Sequence, residues 1–228
     1  MAKFMAGLAG VLALISTAQA APTKLQRIFG FETLNARLPY FESITGPAMY
    51  ANTYNGIETR DYRVDGCRIS AGIKDGNIRW LRLDLSPKCN FNLGTFIGNG
   101  YPTTAGLTVG RFARGSFGSD LRVQTPCLTS CGNAADPEVD FTWEGPHAVN
   151  YINVTLSVVL VSGPALAAST RWENIMRRRE GESYVQDTKF NCVRTYDAEG
   201  IRAFADAPIK SVTIGYDLPN ANYQRSCR

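Results

Sequence analysis

Two hydrophobic periods alternate along this chain, and they divide it into helices and strands. Leu34, Leu38, Phe41 and Ile44 recur at spacings of four, three and three, which is one face of a helix. Gly46-Pro47 stops that pattern, Asn35 is a candidate cap, and Pro39 fits only in a first turn. The pattern predicts a short helix over 36–45. From Ala48 onward, beginning with Met49-Tyr50, the period drops to two. Asn55-Gly56, Asp65-Gly66 and Asp75-Gly76 are hairpin-turn signals. They bound predicted strands over 59–64, 68–74 and 77–85. A two-residue loop at Asp75-Gly76 pairs Ile73 with Ile78 and Ala71 with Trp80, with their side chains on one face. The same register puts Cys67 near Asp84, with Cys89 just past the strand.

The stretch 91–119 breaks the periodicity. Its glycines at 94, 98, 100, 106, 110, 115 and 118 and its few charges predict a flexible connection with irregular strands. Beyond it, Val139, Phe141 and Trp143 alternate with Asp140, Thr142 and Glu144, a strand with one apolar face. Residues 151–161 are the most apolar and β-branched run, which suits an interior strand. The sequon at Asn153-Val154-Thr155 falls inside it and is expected to stay unmodified. Ser162-Gly163-Pro164 opens a helix that Gly181 ends. Its expected inner face is Leu166, Ala168, Trp172, Ile175 and Met176. The tail reads as a strand over 189–196, a short helix over 198–205 capped by Asp197, and a strand over 209–216.

The expected fold class is α+β, antiparallel and β-rich, with two or three short-to-medium helices arranged as two small helix-plus-sheet units and stapled by disulfides. The expected divisions are a leader over 1–20, a helix plus antiparallel meander over 21–90, a glycine-rich connection over 91–119 and an α+β unit over 120–228. That layout, tandem units of a helix on a small antiparallel sheet, resembles small exported inhibitor proteins and outer-membrane assembly lipoproteins.

The first residues give the expected address. Lys3, an apolar run from Leu8 to Ile15, and Ala18-Gln19-Ala20 have the order of a secretory signal peptide. Cleavage is expected between Ala20 and Ala21, leaving a periplasmic or extracellular chain. The apolar run is too short to span a bilayer of about 30 Å, and no transmembrane segment is expected in the mature chain. The net charge of +4 is mild and unclustered, which argues against a nucleic-acid partner.

All six cysteines lie beyond the leader. An even count in an exported chain reads as a disulfide framework. Sequential pairing, Cys67–Cys89, Cys127–Cys131 and Cys192–Cys227, keeps each bridge within one local unit. A zinc site is disfavoured, because Cys127-x3-Cys131 has no matching second pair and His147 is the only histidine. A redox role is disfavoured because three residues, not two, separate that pair.

The remaining candidate chemistry is sparse. Asp136, Glu138 and Asp140 could offer oxygens to calcium, but an extended strand does not curl around an ion as a calcium loop does. Glu144 and His147 could form an acid–base pair in a small hydrolase, with Ser116, Ser119 or Ser130 as nucleophile. No G-x-S-x-G turn accompanies them. Gly98-x-Gly100 lacks the further glycine of a phosphate loop. Arg111, Phe112, Arg114 and Phe117 mix cations with rings in a glycine-rich loop, a composition suited to recognition. Arg177, Arg178 and Arg179 close a helix, where cations offset the negative helix end or meet an acidic partner. No cofactor is called for. The expected function is an exported, disulfide-stabilised, non-catalytic binding protein, such as an inhibitor or envelope-associated factor, with a protein or small-ligand partner. The alternative is the hydrolase using Glu144 and His147.

Overall fold

The computed structural model describes residues 22–98, 100–114, 121–128, 136–145, 151–161, 163–186, 191 and 193–219. Strands β1 (Tyr50–Tyr54), β2 (Ile57–Val64), β3 (Cys67–Lys74) and β4 (Asn77–Asp84) form a meander. Strands β5 (Leu121–Gln124), β6 (Glu138–Glu144), β7 (Asn153–Val159) and β8 (Ser211–Gly215) complete the sheet. All pairs are antiparallel, and the order is β1-β2-β3-β4-β8-β7-β6-β5. The two groups of strands therefore meet edge to edge at β4 and β8, and the fold is α+β around one eight-stranded sheet.

The meander is written in its turns. Asn55, Asp65 and Asp75 have φ of 51°, 50° and 53°, and each is followed by a glycine at positive φ. Two left-handed residues in succession make the two-residue turn whose twist matches the flanking strands. Alternation then sends one side chain of each pair into the core. Tyr62, Ile69, Ala71, Leu81, Leu83, Val212, Ile214, Val154, Leu156 and Phe141 are all buried on the same side.

The helices pack on that side. α1 (Lys24–Ile28) begins with a capping box at Thr23, and α2 (Leu38–Thr45) carries Pro39 in its first turn and stops at Gly46 (φ 83°). Arg37, not Asn35, is the residue before α2, because Asn35 takes φ 70° and its N–H donates to Ile78 O instead. α5 (Gly163–Glu180) buries Ala165, Ala168, Ser169, Trp172 and Met176, whereas Leu166 is 49% exposed. The inner stripe thus lies one position earlier at its start than the large side chains suggest.

Three further expectations are corrected. The connection after β4 is, in its described part, a packed element and not a flexible strap. It holds α3 (Gly94–Ile97) and α4 (Val109–Ala113) and buries Phe91, Leu93, Phe96, Leu107, Val109 and Phe112. Phe29 stacks on Phe91 with centroids 4.4 Å apart, which ties the connection to α1. The expected strand over 189–196 is, in its described part, a turn that leads into α6 (Asp197–Ala203). Finally, Ala71 pairs with Leu81, and Trp80 pairs with Gly72. The register shifts between Gly72 and Ile73, so Arg79 is an extra residue on β4. That one-residue bulge turns Trp80 onto the face opposite the core.

Candidate binding face

The face of the sheet away from the helices is polar along its whole width. One row of paired residues runs Tyr50, Asp61, Ser70, Arg82, Thr213, Thr155, Thr142, Arg122 from one edge to the other. The next row contains Asp84, Ser211, Ser157, Asp140 and Gln124. The middle of both rows is buried, with Thr213, Thr155, Ser211, Ser157 and Asp140 each at most 3% exposed. Small hydroxyl residues fill the centre, and long charged side chains stand around them.

Trp80 is the large group on this face, and the backbone is shaped around it. It lies over Gly72 of β3, where a Cβ would stand 1.9 Å from the indole Nε1. On the other side Gly215 of β8 has φ 142°, and a Cβ there would come within 2.3 Å of the Arg79 carbonyl oxygen. Tyr216 N–H donates to that same carbonyl at 2.7 Å, which holds the bulge in place. The indole is buried (3% exposed), and its N–H has no hydrogen-bond partner among the described residues.

Beside Trp80 the face opens into a cleft of about 650 Å³, to which Met49, Tyr50, Asp61, Arg68, Arg82 and Asp84 contribute. Met49 and Tyr50 are 59% and 60% exposed. Asp61 accepts the Ser70 hydroxyl at 2.6 Å. Asp84 stands 3.9 Å from both Arg68 and Arg82, close enough for attraction and too far for a hydrogen bond. Arg82 instead donates to Glu138 at 3.1 Å, reaching over β8 and β7 to do so. Beneath that bridge Asp140 is almost fully buried and accepts the Ser157 hydroxyl at 2.6 Å. Burial, reinforced by Glu138 and opposed by the Ser157 hydrogen bond and Arg82, pushes its carboxyl up to about 6.

The residues singled out from the sequence distribute as follows. Cys67 and Cys89 are disulfide-bonded, their Cα atoms 5.5 Å apart, and clamp the end of the β3–β4 hairpin. Cys127 is in a disulfide whose partner lies outside the described residues, as do Cys131, Cys192 and Cys227. Glu144 is ion-paired with Arg122 at 3.1 Å, and His147 lies outside the described residues. Asp136 is exposed ahead of β6, whereas Glu138 and Asp140 are engaged with Arg82 and Ser157. Among the described residues no group of three His, Cys, Asp or Glu side chains is placed to hold a metal ion.

The glycine-rich recognition set is not brought together. Phe112 is buried against Tyr101, centroids 5.7 Å apart, so it is a core residue and not a recognition contact. Arg111 folds back onto the carbonyls of Ala105 and Gly106, Arg114 is exposed at the end of α4, and Phe117 lies outside the described residues. Of the terminal arginines on α5, Arg177 pairs with Glu173 and Glu182 and Arg179 with Glu199. Arg178 is exposed and has no ion pair among the described residues.

Trp80, Tyr50, Asp61, Arg82 and Asp84 are missed by sequence reasoning. The alternation around Thr59 to Val64 and 77–85 separates an apolar from a polar face, and that polar face was the available signal. No helix among the described residues is long and apolar enough to cross a membrane. In comparison with known proteins, the chain matches no family model, no curated protein and no solved structure.

Proposed function

We propose that this chain is an exported, disulfide-stabilised, non-catalytic binding protein that holds a polypeptide partner in the cleft on the sheet face opposite its core helices. The observation that carries this reading is the cleft beside Trp80, where Met49, Tyr50 and an indole converge with two arginines and two aspartates. Aromatic residues, methionine and arginine are the side chains enriched at protein interfaces. Asp84 stands 3.9 Å from Arg68, too far for a hydrogen bond, so a partner can take up the hydrogen bonds of that pair, while Arg82 is held by Glu138. The leader-like first residues and the paired cysteines support an oxidising, exported setting.

The hydrolase reading is weaker, because the Glu144 carboxylate is held by Arg122. Asp140, whose carboxyl pKa burial raises, lies under the Arg82–Glu138 bridge and away from the cleft's exposed side chains.

The test is a native pull-down from cell-envelope and secreted fractions, using the oxidised protein beside its Tyr50→Ala and Arg68→Glu variants. Both substituted side chains are mainly exposed, so the fold is expected to survive. One discrete protein retained by the parent and lost from both variants supports the reading. A protein held equally by all three sends the binding site elsewhere. A hydrolytic activity abolished by His147→Ala overturns the non-catalytic reading.

A further inference from the structure

The two edges of the sheet are treated differently. At one end, the outer side of β5 is stoppered by side chains. Val123 N–H donates to Asp197 Oδ1 at 3.1 Å, and Val123 O accepts Asn191 Nδ2 at 2.9 Å. Asp197 is itself buried and held by Asn191 and Arg194. That edge has no backbone groups left for another strand at its centre.

At the other end, β1 is bare. All five residues, Tyr50 to Tyr54, are exposed, and no described element pairs with their outer side. Natural edge strands are normally blunted by a charge, a proline or a bulge. β1 has none of these: it reads Tyr50-Ala51-Asn52-Thr53-Tyr54, and its register with β2 is continuous.

The hydrogen-bond phase follows from the turn. A two-residue hairpin loop makes its flanking pair, Tyr54 and Ile57, a hydrogen-bonded one. Alternation then directs the backbone groups of Tyr54, Asn52 and Tyr50 toward β2. The N–H and C=O of Ala51 and Thr53 point outward. The side-chain sequence is a near-palindrome about Asn52. Antiparallel pairing with an identical strand, centred on Asn52, would therefore match Ala51 with Thr53 twice, through four backbone hydrogen bonds. It would match Tyr50 with Tyr54 twice on the cleft side of the sheet, as non-hydrogen-bonded pairs, whose side chains lie closest. Both the phase and the residue sizes suit this one register, and no charge opposes it.

We infer that β1 is a self-association edge, which pairs antiparallel with β1 of a second copy about a two-fold axis at Asn52. The inference rests on the edge; Tyr50 is shared with the cleft, whereas Asn52 and Thr53, which test the edge, lie outside the cleft lining. A five-residue strand pair is smaller than the roughly 1,200 Å² of a standard stable interface, so the dimer is of the weak, concentration-dependent class.

Sedimentation equilibrium of the oxidised protein tests this. The average mass should rise from one chain toward two with concentration. Thr53→Pro removes an outward N–H that no β2 bond uses, and Asn52→Lys sets two like charges on the axis. Both variants should keep the parent's circular dichroism and melting temperature and remain monomeric. Asn52→Cys places two thiols at a non-hydrogen-bonded pair, with Cα atoms about 4.5 Å apart, within reach of a disulfide. It should give a covalent dimer on a non-reducing gel, and the exposed control Ser43→Cys should not. A single-chain mass up to about 1 mM overturns the inference, since that limits association to about 4 kcal/mol. So does a dimer unmoved by both substitutions, or an Asn52→Cys chain that cross-links no better than the control.

Discussion

At the residue scale, the candidate site depends on two glycines that make room for one ring. Gly72→Ala drives a methyl group into the Trp80 indole at 1.9 Å, and the ring clears it only by leaving its notch toward the cleft. Overpacking of that kind costs about 1–3 kcal/mol. Urea denaturation should show that loss, together with a shift in tryptophan emission as the indole is displaced; an unchanged midpoint would mean the notch is loose. Asp140 gives a second test, in pH. Its folded carboxyl is raised to about 6 from an unfolded value near 4. Stability from the protonated carboxyl is therefore fully present below about pH 4 and is lost as pH rises through about 6. Over that window the parent should lose about 3 kcal/mol relative to Asp140→Asn, whose carboxamide does not titrate. Parallel stability–pH curves for the two would refute the burial-driven shift. Neither feature was legible from composition. No turn or periodicity signal marks Gly72, and Trp80 was paired with Ala71 on the face of Ile73 and Ile78, because the Arg79 bulge is fixed by Tyr216 from a part of the chain far away in sequence.

At the scale of elements, legibility followed locality. The three hairpins were readable because each Asn-Gly or Asp-Gly step carries its own backbone preference. The α2 helix was readable because Pro39 and Gly46 mark its ends. The connection after β4 was misread because its glycines were weighed above Phe91, Leu93, Phe96 and Phe112, whose burial gives it order. The turn before α6 was misread for a related reason. Asp197 caps no helix through its side chain; it plugs the edge of β5 from a distance in the chain. Asp197→Ala leaves the buried Val123 N–H and Asn191 amide without their acceptor. The expected cost is about 2–3 kcal/mol of unfolding free energy, measured by chemical denaturation. A loss below half a kcal/mol would show that water replaces the carboxylate. The Cys67–Cys89 bridge belongs to the same scale. It closes a loop of 22 residues at the end of one hairpin, and its removal by paired alanine substitution should cost about 3 kcal/mol.

At the scale of the molecule, the sequence suggested two helix-plus-sheet units, and the sheet joins their strands through β4 and β8. That seam comprises five residue pairs and places Leu81 and Leu83 beside Ile214 and Val212 in one continuous core. Neither group of strands would keep this surface dry alone: β4 would present a bare central edge, and β8 would lose one of its two neighbours. The seam also builds the Trp80 notch, half of it from Gly72 and half from Gly215. Unfolding should therefore be a single transition. The three tryptophans report it from both sides, Trp80 among the early strands and Trp143 and Trp172 among the later elements. Their indole N–H resonances, followed separately through a urea titration, should share one midpoint. Removing Cys67–Cys89 should lower all three midpoints together, although the bridge lies on one side of the seam. If Trp143 and Trp172 instead keep the parent midpoint while Trp80 unfolds early, the seam is the weaker joint. The candidate face could then be opened from one end without loss of the other.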